Sequence, residues 1–330
     1  MFNLGIMVNN RCNARCAHCL YASSPDWPDD YMSEETCQRV AETLDDFSIP
    51  SVHIGGGEPF LHFDGLCTVL KTLADADIDI DYIETNALWC GDEKTAREKI
   101  LRVKALGGNT LMASCDPFHA SYIPLERVIT FVRLCRECAM DYFVWHEAYL
   151  ARFLQMGIPR ERPLSVQELS ELFGEDYRER TAAEYGLAFN GRALGLLETM
   201  TRKMPADEAA GQCRGAQLAK MDTGHVDYAG RFLPGHCLGF GVDLVWALEG
   251  AKPGRYPIVD LVREKGLRGL LALCREMGFR EDARGYVSCC ALCMELKRFL
   301  CGKGYDEIYP APFFENVGSG FDGNARVNIV

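Results

Sequence analysis

Three cysteines stand near the start of the chain in the run Cys12-Asn13-Ala14-Arg15-Cys16-Ala17-His18-Cys19, a C-x3-C-x2-C loop that follows an apolar, strand-like stretch. Thiolates are the usual protein ligands of iron–sulfur clusters, and four of them complete the shell of a 4Fe–4S cubane. Three leave one iron open to a ligand that is not protein. The same residues also read as three buried thiols, or as a tetrahedral zinc site completed by His18, although zinc motifs mostly come as paired C-x2-C units.

A glycine-rich turn, Gly55-Gly56-Gly57-Glu58-Pro59, ends the second strand-like stretch. Glycines lack a Cβ and let backbone N–H and C=O groups come close to a ligand. Glu58 adds a carboxylate able to meet an ammonium group. Taken alone, the segment is also an ordinary Gly-Pro turn. Thr85-Asn86-Ala87 and Ser114-Cys115-Asp116-Pro117-Phe118-His119 close the third and fourth strand-like stretches. Ser114 and Asp116 share one side of an extended strand. Asp116 and His119 serve equally well as caps of the next helix.

The cysteine loop followed by the glycine turn, in this order and at these strand ends, resembles the radical S-adenosylmethionine (SAM) superfamily. The resemblance implies a 4Fe–4S cluster on Cys12, Cys16 and Cys19 whose open iron chelates the amino and carboxylate groups of SAM. Electron transfer then breaks the S–C5′ bond, and the 5′-deoxyadenosyl radical takes a hydrogen atom from a substrate. The resemblance further implies SAM contacts at His18 near the adenine, at Gly56 and Gly57, at Glu58 on the amino group, and at Asn86 and Ser114. Ala87 departs from the family's Thr-Asn-Gly turn, and the apolar Gly-x-Ile-x-Gly motif is absent from Tyr142–Ala148, so no adenine contact is assigned there. Cys90 and Cys115, near strand ends at the expected catalytic face, join Asp116 and His119 as catalytic candidates. Both thiols also read as packing groups.

Cys213, Cys237, Cys290 and Cys293 lie where relatives with a SPASM or twitch domain carry an auxiliary cluster. This part of the resemblance rests on His225–Cys237, a Gly turn followed by a cysteine, on the C-x2-C pair within Tyr286–Leu300, and on Gly191-Arg192-Ala193 upstream. It implies one closed auxiliary 4Fe–4S cluster of the smaller twitch type, because the full seven-cysteine pattern is missing. Cys289 can substitute for Cys290. A zinc knuckle or two packed thiol pairs is the competing reading, and either metal would stabilise a segment with few long apolar periodic runs. Other thiols read as core: Cys135 and Cys138 with Val128, Phe131 and Val132, Cys274 with Leu267, Leu270 and Leu271, and Cys37 and Cys67 in amphipathic helices. His53, His62 and His146 show no ligand spacing and read as structural. The Gly-rich tail at 317–324 lacks the Lys-Ser/Thr ending of a phosphate loop.

These motifs need a frame that brings strand ends together. Apolar runs predict strands at Asn3–Asn9, Ser51–Ile54, Ile78–Glu84, Thr110–Cys115 and Tyr142–Glu147, with helices near 33–47, 63–76, 92–106 and 123–139 between them. Ser33 is the expected N-cap of the first helix, with Glu34 and Glu35 in its first turn and a buried stripe of Cys37, Val40, Ala41 and Leu44. A more polar helical segment covers about 165–185, and Leu187–Phe189 is a candidate sixth strand. Five or six βα units are too few for a closed eight-stranded barrel. The expected fold is therefore α/β: an open, partial TIM-like radical SAM barrel over 1–205 with a small iron–sulfur domain over 206–330.

Composition narrows the function classes. The 330 residues carry a formal charge of −12, which disfavours an extended nucleic-acid interface. Sixteen cysteines point to metal or redox chemistry, since disulfide frameworks belong to small secreted chains. No signal-like leader and no apolar run of about 18 residues is present, which places the chain in the cytoplasm and off the membrane. The expected partners are a peptide or small-molecule substrate and an external one-electron reductant such as flavodoxin or ferredoxin. Because the cysteine loop begins at residue 12, an N-terminal leader-peptide-binding domain is not expected, which keeps a small molecule beside a peptide. A rival from another class is a non-enzymatic iron–sulfur protein that relays electrons or scaffolds assembly. Such a carrier has no need of an open iron beside a Gly-Gly-Glu turn.

Overall fold

Alternation sets the first strand: in the computed structural model Leu4, Ile6 and Val8 are at most 2% exposed and back onto the helices, while Gly5 on β1 (Asn3–Met7) faces the other way. Four more strands follow, β2 (Ser51–Gly55), β3 (Asp79–Thr85), β4 (Thr110–Ser114) and β5 (Asp141–Trp145), each parallel to its neighbour. The structure describes residues 3–187, 189–216, 218, 221, 223–235 and 237–318. Among these, no helix is long and apolar enough to cross a membrane.

The connecting helices lie close to where the periodicity predicts them: α1 (Glu34–Asp46), α2 (Phe63–Asp75), α3 (Glu93–Ala105), the short α4 (Pro117–Ala120) and α5 (Leu125–Glu137). Ser33 caps α1 by accepting from the Thr36 N–H, and Cys37, Val40, Ala41 and Leu44 are buried beneath it. The polar stretch 165–185 is two helices, Val166–Phe173 and Tyr177–Tyr185, separated by Gly174 at φ 91°.

The sixth strand is not at Leu187–Phe189. Leu187 and Phe189 belong to no strand, and Ala188 lies outside the described residues. The short apolar run there is spent on packing beside the second core. The strand that extends the sheet is β6 (Thr223–Val226), which pairs parallel with β1 on the side opposite β2. It turns back into β7 (Arg231–Pro234), and β8 (Val242–Asp243) follows, both antiparallel. The order β5-β4-β3-β2-β1-β6-β7-β8 makes one open, unclosed sheet that runs from the barrel into the later cysteine-bearing segment. Of the tail at 317–324, residues 319–324 lie outside the described residues.

Candidate functional site

The cysteine loop leaves β1 and is pinned at both ends. Cys12 N–H donates to the Ser24 carbonyl at 3.1 Å, and Cys19 N–H donates to the Cys16 carbonyl at 3.1 Å. Arg192, 1% exposed, reaches in from far along the chain. Its guanidinium donates to the carbonyls of Cys16 (3.0 Å), Ser23 (2.6 Å) and Asn316 (3.4 Å), and its backbone N–H donates to Cys19 O (3.0 Å). The upstream Gly-Arg-Ala segment is thus the clamp that shapes the loop. Burial, then the neighbouring Cys16 sulfur, pushes the Cys12 thiol well above its ordinary value. A metal that replaces the protons removes that penalty.

The glycine turn packs directly against the same loop. Gly57 N–H donates to Asn9 O and Glu58 N–H to Arg11 O, both at 2.9 Å. A Cβ on Gly57 would lie 1.9 Å from the Arg11 carbonyl oxygen, so no other residue fits this approach. The Glu58 side chain, 1% exposed, accepts from Phe60 N–H (3.1 Å), Thr85 Oγ1 (2.9 Å) and Asn86 N–H (2.7 Å). Burial raises its pKa to about 7 against the pull of those bonds. A carboxylate accepts about four hydrogen bonds, so roughly one acceptor position remains. Asn86 in turn donates to Asn13 Oδ1 at 2.6 Å and lies 3.7 Å from Cys12 Sγ, which couples the β3 exit to the cysteine loop.

These elements surround one cavity of about 560 Å³. Cys12, Cys16, Cys19, His18, Gly56, Gly57, Asn86, Ser114 and His119 all line it. His18 stacks on Phe118 with ring centroids 4.7 Å apart, and burial lowers its pKa to about 4. Its Nδ1 has no partner among the described residues.

Asp116 caps α4, its Oδ1 accepting from Phe118 N–H (2.7 Å) and His119 N–H (3.1 Å). Its Oδ2 takes His119 Nδ1 (2.5 Å) and the Tyr185 hydroxyl (3.0 Å), so both oxygens are committed. Burial disfavours the imidazolium of His119, but the Asp116 carboxylate and the Cys16 sulfur together outweigh it and hold His119 well above the ordinary histidine value. Asp116 thereby orients a cavity-facing imidazole while taking no place on the wall itself. Cys90 (1% exposed) and Cys115 (4%) pack in the two hydrophobic cores, and neither lines the cavity.

Other cavity residues gave no motif. Gly5 on β1 is level with His53 on β2 and His225 on β6. A Cβ there would sit 2.3 Å from His53 Nε2, so the glycine lets two imidazoles from flanking strands meet across the strand between them. Their Nε2 atoms are 2.9 Å apart, and Tyr21 Oη is 2.5 Å from His225 Nδ1. Burial, then His53, lowers His225 to about 3, so the pair is neutral. Glu84 is the one carboxylate among the described lining residues, with no hydrogen-bond partner among them. Burial, then Glu58, raises its pKa to about 7. Alternation along β3 places Tyr82 and Glu84 on one side, a signal present in the sequence but too common to single out.

The later cysteines also converge. Cys213 follows helix Ala206–Gly211, Cys237 follows β7, and Cys289, Cys290 and Cys293 open helix Cys289–Leu300 behind the Ser288 cap. Cys213, Cys289 and Cys290 lie close enough to shift one another's thiols, and Cys237 and Cys293 lie in the same field. Cys289 and Cys290 both belong to this group. All sixteen cysteines are free of disulfides.

Residues 6–150 match the family model described as the Radical SAM superfamily. YydG of Bacillus subtilis (strain 168), a protein named for peptide biosynthesis, is 28% identical over 125 residues, 37% of this chain and 39% of its own. The chain thus matches well under half the length of that curated relative. Among solved structures, anSMEcpe with bound AdoMet is 14% identical with a TM-score of 0.45, covering 90% of this chain and 95% of its own. Streptococcus suis SuiB bound to precursor peptide SuiA is 17% identical with a TM-score of 0.33, covering 88% and 70%.

Proposed function

We propose that this chain binds a 4Fe–4S cluster through Cys12, Cys16 and Cys19 and uses it to cleave SAM, beginning a modification of a peptide substrate. The convergence of those three thiols with Gly56, Gly57, Asn86 and Ser114 on one cavity carries the reading. When bound, cluster and SAM together supply a 5′-deoxyadenosyl radical, and the protein supplies placement and exclusion of water. His18 offers a face to the adenine, the glycine turn offers bare backbone to the methionyl group, and Glu58, behind the cavity wall formed by Gly57, Thr85 and Asn86, keeps an acceptor position for its ammonium. His119, held by Asp116, stands beside them. The peptide class is supported by the name of the relative YydG.

The five later thiols fit a second, closed cluster in a domain over 206–330, since four complete a cubane shell. An external one-electron reductant serves the first. Free thiols throughout suit a reducing compartment such as the cytoplasm. The test is anaerobic reconstitution with iron and sulfide, then SAM and dithionite. Release of 5′-deoxyadenosine is expected. A protein that holds iron yet forms none is an electron carrier or scaffold, and the reading is lost.

A further inference from the structure

Lys297 is 2% exposed, at a depth where a charge needs a partner. It follows Cys293 by one helical turn on the same face of helix Cys289–Leu300. Its ammonium donates to the carbonyl of Leu238, the residue after Cys237, and sits 4.6 Å from the centroid of the Phe240 ring. No carboxylate pairs with it among the described residues. A carbonyl and a ring face solvate an ammonium but do not neutralise it. The cysteines nearest it are Cys237, whose neighbour Leu238 it bonds, and Cys293, one helical turn back.

We propose that Lys297 is the built-in counter-charge of the second metal site and raises the reduction potential of the cluster held there. The inference rests on the proposal that these thiols hold a 4Fe–4S cluster. Four thiolates already make such a site anionic, and one-electron reduction adds a further negative charge. A fixed cation beside the sulfurs stabilises the reduced form more than the oxidised one, and net charge and hydrogen bonds to sulfur are among the protein's main levers on cluster potential. The site is thereby set to take up an electron more readily than an uncompensated one.

The experiment uses the full chain with Cys12, Cys16 and Cys19 replaced by Ala, so that only the second site carries a cluster. Redox titration followed by electron paramagnetic resonance compares Lys297 with Lys297→Met and Lys297→Arg. At a fixed solution potential, Lys297→Met should lower the ratio of reduced to oxidised cluster at least tenfold, which is 59 mV for a one-electron couple. Lys297→Arg should restore most of it. An unchanged midpoint in an iron-loaded Lys297→Met protein overturns the proposal, as does an equal fall in Lys297→Arg, which would make shape the cause.

Melting of the metal-free proteins tests the counter-charge independently of cluster loading. Without metal the lysine is a buried, unneutralised charge, so Lys297→Met should melt at or above its parent. A lower melting temperature means that the carbonyl and ring satisfy Lys297 alone, and the proposal falls. Zinc instead of iron in the parent protein would refute the cluster reading and, with it, any effect on potential, and metal analysis separates that result from a failure of Lys297.

Discussion

The two cysteine sites use a buried cation in opposite ways. At the first, Arg192 spends its guanidinium on backbone carbonyls of the loop, and the thiols are left facing a cavity of about 560 Å³. At the second, Lys297 gives its ammonium to the carbonyl of Leu238, beside Cys237 and one helical turn from Cys293, away from that cavity. One cation fixes the shape of a loop and leaves its sulfurs open to ligands. The other alters the charge at the sulfurs. Sulfur count alone does not distinguish these designs; the atoms facing the cation do.

Replacing Cys12, Cys16 and Cys19 with Ala should have the largest effect: loss of one four-iron cluster and of all 5′-deoxyadenosine, with the second site still loaded. Equal loss from both sites, read by iron analysis and spectroscopy, would break the contrast. Next comes Arg192→Met, which leaves three buried carbonyls without their donor at about 1–3 kcal/mol each before relaxation. A stability loss of about 4 kcal/mol is expected by denaturant titration, with iron depleted at the first site only.

Glu58→Ala sharpens the account of the open site. Removing the partner of a charged group in a dry site costs on the order of 2–5 kcal/mol, so SAM affinity measured by calorimetry should fall strongly while the cluster stays. Unaltered affinity would confine Glu58 to holding Thr85 and Asn86.

A smaller effect belongs to Glu84, whose pKa of about 7 is set mainly by burial. The unfolded chain loses this proton near the ordinary glutamate value of about 4.3. Between the two values the folded state binds more protons, so the stability Glu84 contributes is complete below about 4.3 and lost as pH rises through about 7. Melting of the metal-free protein should show wild type declining relative to Glu84→Gln across that window. A constant gap would mean Glu84 is not held in a desolvated wall. Least affected is Cys90→Ala, expected to cost about 1 kcal/mol as a small core deletion with SAM cleavage intact. A marked loss of cleavage would return Cys90 to the catalytic face.

Much of the open site was legible because its chemistry is local in sequence. Cys12, Cys16 and Cys19 sit within one loop, and alternation with helical periodicity located the five strands that aim their ends at it. Asp116 reads correctly as a cap because capping is decided by its immediate neighbours. The sixth strand was misplaced because pairing with β1 is decided by partners more than 200 residues apart, and no local pattern encodes it. The same distance hid His225, which meets His53 only through that pairing and only across Gly5. Lys297 gave no signal either. A lysine one turn after a cysteine is usually a solvated side chain, and only the fold of residues 237–240 over it takes it out of water.

The clamp on the first cysteine loop also sets a schedule. The loop leaves a ribosome well before Arg192, the β6 neighbour of β1 and the Asn316 carbonyl that completes the guanidinium's hydrogen bonds. At about 5–20 residues per second, roughly 15–60 seconds separate synthesis of the thiols from completion of their mould. Throughout that interval they are unshielded and open to oxidation or to the wrong metal. A cell making it quickly must therefore keep nascent thiols reduced until the segment that carries Asn316 has arrived.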